Sequence, residues 1–296
     1  MKERRPFAFV QYDVFTSQPL QGNQLAVFDD ARGLSDAEMQ ALARETRLSE
    51  TTFIVPRDVA TEREQGVKVR IFTVAEELPF AGHPTLGTAF HLQQKSEASL
   101  VELDLKVGKI PVQFGRDDAG AVFGEMRQRD PQFGQIHSAE EVARVLGLEV
   151  ADIDTGLPVQ TVSTGLPFIM VVFRRLERVQ RFKLDFARAA EYLDKTQSHF
   201  FYYVCRETVF PGAALHARML FYNGEDPATG SAAGCCAAWA VRHGVFESEK
   251  RALIEQGIEM LRPSKIFVRG KKLGDAVSDI FVGGNVVPVS AGEFVI

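Results

Sequence analysis

Apolar positions dominate residues 7–15, break at the turn-forming run Pro19-Leu20-Gln21-Gly22-Asn23 and resume over residues 25–28, which predicts a β-hairpin. The period then lengthens. Met39, Leu42 and Ala43 recur at helical spacing behind Ser35 and Glu38, a capping-box pair, so a helix is expected up to about Thr46. Residues 51–55 return to strand, and the link Leu48-Ser49-Glu50 leaves one carboxylate at the mouth of that strand. Residues 67–72 read as another strand, followed by a glycine turn and a helix from Pro84 to about Gln93, proline being suited to a first helical turn. Residues 110–114 and 122–126 read as strands, and residues 140–146 as a helix stopped by Gly147.

The second half repeats this order. Gly165-Leu166-Pro167-Phe168-Ile169-Met170-Val171 echoes Gly22-Asn23-Gln24-Leu25-Ala26-Val27-Phe28, and a helix over residues 184–193 leads into an aromatic strand, residues 200–204. Arg70 precedes Pro79 by nine residues and Gly82 by twelve; Arg218 precedes Pro227 and Gly230 by the same intervals. The repeat predicts two similar α+β domains facing one another, residues 1–127 and 128–296. Residues 231–241 and 86–92 are too apolar all round for surface helices, so each is expected inside a curved, mostly antiparallel sheet with its N-terminus open. Two such ends meeting would make a cleft of the kind ligands occupy. Toward the C-terminus, residues 265–269, 277–282 and 285–289 read as antiparallel strands separated by glycine turns.

Composition narrows the function classes. A length of 296 residues suffices to bury roughly three-quarters of the unfolded surface, and a net charge of −5 offers no basic excess for nucleic acid or anionic membrane. The opening Met1-Lys2-Glu3-Arg4-Arg5-Pro6-Phe7 has no signal-peptide pattern and no apolar run is long enough to span a bilayer, so a cytoplasmic location is expected. The three cysteines lack metal-ligand spacing, and Cys235 and Cys236 read as small filling of a helix. The glycine turns match neither a dinucleotide fingerprint nor a phosphate loop, and no Gly-x-Ser-x-Gly elbow occurs. No cofactor and no metal is expected.

The chemistry concentrates at the two glycine turns. Each opens a helix whose first N–H groups lack internal partners and carry the positive end of the helix dipole, an arrangement that holds anions. The repeat is asymmetric there: aligning residues 51–55 with 200–204 sets Glu50 opposite His199, while the first turn carries His83 and the second carries Asp226 and Ser231. Glu50 is the candidate base, His83 and Asp226 can settle charge, and Gly82, His83, Gly230 and Ser231 can bind a small carboxylic acid. Each also has a structural reading: a solvated glutamate, a capping histidine, an aspartate before proline in a turn, a serine N-cap. Glu76, Glu77 and Glu225 read as loop charges. A proton-moving isomerase, a non-catalytic small-acid-binding protein with the same cleft, and a hydrolase or lyase using Ser231 all fit these residue types.

Four motifs together, Gly22-Asn23, Leu48-Ser49-Glu50-Thr51-Thr52-Phe53, Glu77-Leu78-Pro79-Phe80-Ala81-Gly82-His83-Pro84-Thr85-Leu86-Gly87 and Glu225-Asp226-Pro227-Ala228-Thr229-Gly230-Ser231-Ala232, closely resemble the PhzF-like family, named for the phenazine-biosynthesis isomerase. The resemblance implies a diaminopimelate-epimerase-like fold, a homodimer and cofactor-independent isomerase chemistry. It further implies Glu50 as the general acid/base that shifts a proton between carbons of a cyclic acid. His83, Asp226 and Ser231 match the residues around the substrate, and Gly82-His83 and Gly230-Ser231 its carboxylate-binding amides. Related racemases carry a cysteine at each turn; Ala81 and Thr229 stand there in this chain, which disfavours two-thiol racemisation. Gln24 and Val74 replace frequent prolines and touch none of these residues.

Overall fold

Parallel neighbouring strands need a long crossover, usually a helix, and two such crossovers occur in each half of the chain at matching points. β2 (Asn23–Phe28) leads through α1 (Asp36–Thr46) to β3 (Glu50–Ile54), parallel to β2 with Leu25 opposite Glu50. The computed structural model describes residues 4–221 and 224–296, and contacts divide it into one unit running to Met126 that takes back Gly283–Ile296, and a second, Arg127–Val282.

In the first unit, β1 (Pro6–Val14) pairs antiparallel with β2, as the expected hairpin. After α2 (Val59–Gln65), β3 pairs antiparallel with β4 (Val67–Phe72), which also carries the short β5 (Glu77–Leu78). α3 (Gly82–Ser96) then crosses to β6 (Leu100–Leu105), parallel to β4, and β7 (Gly108–Arg116) and β8 (Val122–Arg127) follow as a meander. Ser35 caps α1 with Glu38 closing the capping box, and Met39, Leu42 and Ala43 pack on Phe28, Phe53 and Phe72. Phe28 and Phe53 stack at 4.8 Å between centroids, a contact enforced by the parallel register that sets them side by side. α3 is buried from Gly82 to His91.

The second unit follows the same plan. β9 (Gln132–His137), α4 (Ala139–Leu146) and β10 (Val159–Ser163) precede β11 (Pro167–Phe173). β11 runs parallel to β12 (Phe200–Cys205), as β2 does to β3, with α5 (Leu176–Arg181) and α6 (Phe186–Lys195) in the crossover. β13 (Leu215–Phe221) pairs antiparallel with β12 and with the short β14 (Gly224–Asp226). α7 (Gly230–Arg242) crosses to β15 (Ala252–Gln256), parallel to β13, and β16 (Ser264–Leu273) returns antiparallel. Every residue of α7 from Gly230 to Val241 except Ser231 is buried, as its lack of a polar face predicts. Cys235 and Cys236 are among them; burial pushes the Cys235 thiol up to about 11 and Cys236 higher still, consistent with filling.

Three details depart from the sequence reading. α3 begins at Gly82, two residues before Pro84, because a first turn extends back to the extended Ala81. α5 has only six residues, too short for periodicity to reveal. The C-terminal strands expected over residues 277–282 and 285–289 are one strand, β17 (Ala276–Val295). Its Gly283 is not a turn residue: a Cβ there would lie 2.5 Å from the Gly124 carbonyl, so glycine serves close backbone approach. β17 pairs along β1 from Val286 to Val295, which is why residues 283–296 join the first unit although the sequence division put them in the second half.

Candidate active site

In the first unit, Glu50 opens β3 and His83 is the second residue of α3. His83 Nε2 lies 3.3 Å from Glu50 Oε2, with the glutamate side chain 17% exposed and the histidine 6%. That separation would suit an ion pair, yet burial drives the imidazole down to about 3, the Gln24 backbone opposing only weakly, so the ring is neutral. Its Nδ1 is met by Asn23, the first residue of β2 and fully buried. The Asn23 amide nitrogen donates to Nδ1 at 3.2 Å while its carbonyl oxygen accepts from Ser49 Oγ at 3.4 Å. Among the described residues Nε2 has no partner of hydrogen-bond geometry, so its 3.3 Å approach to Glu50 is a close electrostatic contact.

In the second unit, Asp226 ends β14 and Thr229 Oγ donates to Asp226 Oδ2 at 2.6 Å. Thr229 is the N-cap of α7 by position, but its hydroxyl is spent on Asp226 and makes no capping bond. Gly230 and Ser231 are the first and second helical residues, the places Gly82 and His83 hold in α3, whose N-cap Ala81 likewise has no capping side chain. Neither N-cap side chain thus satisfies the leading N–H groups, the condition under which a helix start accepts an anion. Ser231 is not the N-cap that one structural reading made it.

Two glutamates read as loop charges are fixed structural partners. Arg70 grips Glu77 through Nε and Nη2 at 2.8 and 2.6 Å, and Arg218 grips Glu225 at 2.8 and 2.7 Å. Both carboxylates are 13% exposed. Arg218 also donates to the carbonyls of Val179, Gln180 and Phe182, which close α5. Each pair holds the short strand that launches a glycine turn, and Glu225 adjoins Asp226. The seven-residue interval between arginine and glutamate, equal in both halves, was the available signal. An open groove of about 540 Å³ in the first unit, lined by Asp36, Lys68, Arg70, Glu77 and Lys106 among others, contains neither Glu50 nor His83.

The α+β fold built from two like units has the epimerase-like architecture, and the relatives of the chain are isomerases. The family model described as phenazine biosynthesis-like protein matches residues 12–292. Trans-2,3-dihydro-3-hydroxyanthranilate isomerase of Pseudomonas aeruginosa is 32% identical over 290 residues, covering 96% of this chain and 98% of its own. An uncharacterized isomerase of Mesorhizobium japonicum is 36% identical over 304 residues, covering 97% and 98%. The crystal structure of a PhzF-family phenazine biosynthesis protein from Bacillus anthracis superposes with a TM-score of 0.89 at 30% identity, over 99% of this chain and 100% of that one. The chain belongs to the phenazine biosynthesis-like, or PhzF-like, family. No helix among the described residues is long and apolar enough to cross a membrane.

Proposed function

We propose that the protein is a cofactor-independent isomerase that moves a proton within a small carboxylic acid, cyclic acids included, with Glu50 as general acid and base. The observation that carries the reading is the 3.3 Å approach of neutral His83 to Glu50. As a carboxylate, Glu50 takes a proton from one carbon of the substrate, the electron pair passes into the conjugated system, and the resulting carboxylic acid returns the proton to another carbon. His83 stands beside Glu50 without carrying charge, so it leaves the base basic. In the first unit the N–H groups at Gly82 and His83 are assigned to substrate carboxylate binding; in the second, those at Gly230 and Ser231 are assigned to the same task and Asp226 to charge balance.

General acid/base catalysis of this kind contributes ~10²–10⁴ in rate. The Pseudomonas aeruginosa relative's substrate, trans-2,3-dihydro-3-hydroxyanthranilate, is the first acid to test. Wild-type protein is expected to isomerise it or a related cyclic acid, and Glu50→Gln to lose at least a hundredfold in kcat with an unchanged fold. Undiminished turnover by Glu50→Gln would remove Glu50 from the mechanism.

A further inference from the structure

Gln256 ends β15 thirty residues beyond Asp226, and its side chain is fully buried. Its Oε1 accepts from Tyr202 Oη at 2.9 Å and from the Thr229 backbone N–H at 3.3 Å. Two donors on one side fix which end of the amide is oxygen. Its Nε2 donates to the Asp226 carbonyl at 2.7 Å and to Thr229 Oγ at 3.0 Å. The Thr229 hydroxyl, having accepted that bond, spends its own proton on Asp226 Oδ2 at 2.6 Å. Every link points the same way: Tyr202 to Gln256, Gln256 to Thr229, Thr229 to the Asp226 carboxylate.

The backbone is clamped as well. Gly257 adopts φ +77°, and a Cβ there would meet the Pro227 carbonyl and the Arg262 carbonyl at 2.5 Å each. The segment at 256–257 therefore lies directly against the turn at 226–229, and no larger residue fits between them. Tyr202 and Gln256 are both fully buried and Thr229 is 7% exposed, so water competes little for these bonds. A capping hydroxyl would ordinarily serve its own helix; this one serves a carboxylate.

We propose that Thr229 and Gln256 are positioning residues, a one-directional donor chain starting at Tyr202 that aims the Asp226 carboxylate and keeps it in its anionic form. The proposal rests on the reading that Asp226 takes part in the reaction, but the chain can be tested without turnover. Thr229→Val removes the last donor at nearly constant volume, whereas Thr229→Ser keeps it. Gln256→Leu breaks the chain one link earlier.

The test is the pH titration of the Asp226 carboxyl carbon in protein labelled with ¹³C at aspartate Cγ, the resonance assigned by its loss in Asp226→Asn. Loss of a hydrogen bond to the charged form moves a carboxyl midpoint upward, here by about one pH unit in Thr229→Val. Thr229→Ser is expected to titrate with wild type, and Gln256→Leu to shift in the same direction as Thr229→Val. An unmoved midpoint in Thr229→Val, or a Thr229→Ser midpoint that moves with it, would overturn the proposal. If Gln256→Leu does not fold, the two Thr229 variants decide the matter. Active Glu50→Gln would count against the isomerase reading and leave this titration result standing.

Discussion

His83 Nε2 faces Glu50 Oε2 at 3.3 Å with its ring neutral and its other nitrogen held by Asn23, so the carboxylate proposed as the base has an uncharged imidazole as its neighbour. A protonated ring at the same place would lower the basicity of Glu50. Burial, by excluding the imidazolium, keeps the carboxylate able to accept a proton.

It follows that His83 contributes no limb to the pH–rate profile between pH 5 and 8. His83→Gln, which retains an N–H donor, is expected to lose less kcat/KM than His83→Phe and to keep the shape of the wild-type profile. A limb near pH 6.5 in wild type that vanishes in His83→Gln would show that the ring titrates during catalysis. Because its folded value lies far below the unfolded ~6.5, His83 also costs stability as pH falls from ~6.5 toward 3, where only the unfolded chain takes up the proton.

His216 has the opposite sign. It is fully buried, with Nδ1 2.9 Å from Glu255 and Nε2 3.4 Å from Glu259, and Arg218 lies 3.9 Å from Glu259. Burial pulls the imidazole down, but the two carboxylates outweigh it and the net displacement is upward. Such a group gives stability that is complete below the unfolded value of ~6.5 and is lost as pH rises through the folded value. The Tm difference between wild type and His216→Gln is therefore expected to shrink as pH rises from 6 to 9. A difference that stays constant or grows would exclude the charged form.

The two arginine–glutamate pairs are equivalent in geometry and unequal in burial. Arg218 is 7% exposed and also serves three carbonyls; Arg70 is 19% exposed, and Glu77 keeps Lys106 as a second partner. Arg218→Met strands a nearly buried carboxylate and is expected to cost about 3–5 kcal/mol. Arg70→Met is expected to cost clearly less. Urea denaturation of the two variants ranks them, and equal losses would contradict the burial argument.

Much of this was legible in the sequence because the repeat is local. The equal intervals from Arg70 to Gly82 and from Arg218 to Gly230 mark a strand, a turn and a helix start, and the link ahead of Thr51 exposed Glu50 as a lone carboxylate. What escaped depends on residues brought together from far along the chain. Asn23 reaches His83 across sixty positions, and Gln256 reaches Thr229 across twenty-seven. Gly283 looked like a turn because its reason for being glycine, the Gly124 carbonyl, belongs to a distant strand. Glu77 and Glu225 looked solvated because a charge beside a glycine turn usually is; only the pairing of β4 with β5 and of β13 with β14 turns them back onto their arginines.

The central claim is that Glu50 carries a proton from one carbon of an acid to another, and solvent-deuterium incorporation tests it most directly. Trans-2,3-dihydro-3-hydroxyanthranilate and a panel of related cyclic and amino acids are incubated with the protein in D₂O and analysed by NMR. The expected result is deuterium at a carbon position of a turned-over acid with wild-type protein and none with Glu50→Gln. Equal incorporation by both proteins, or isomerised product from wild type that contains only the original hydrogen while Glu50→Gln remains fully active, would contradict it.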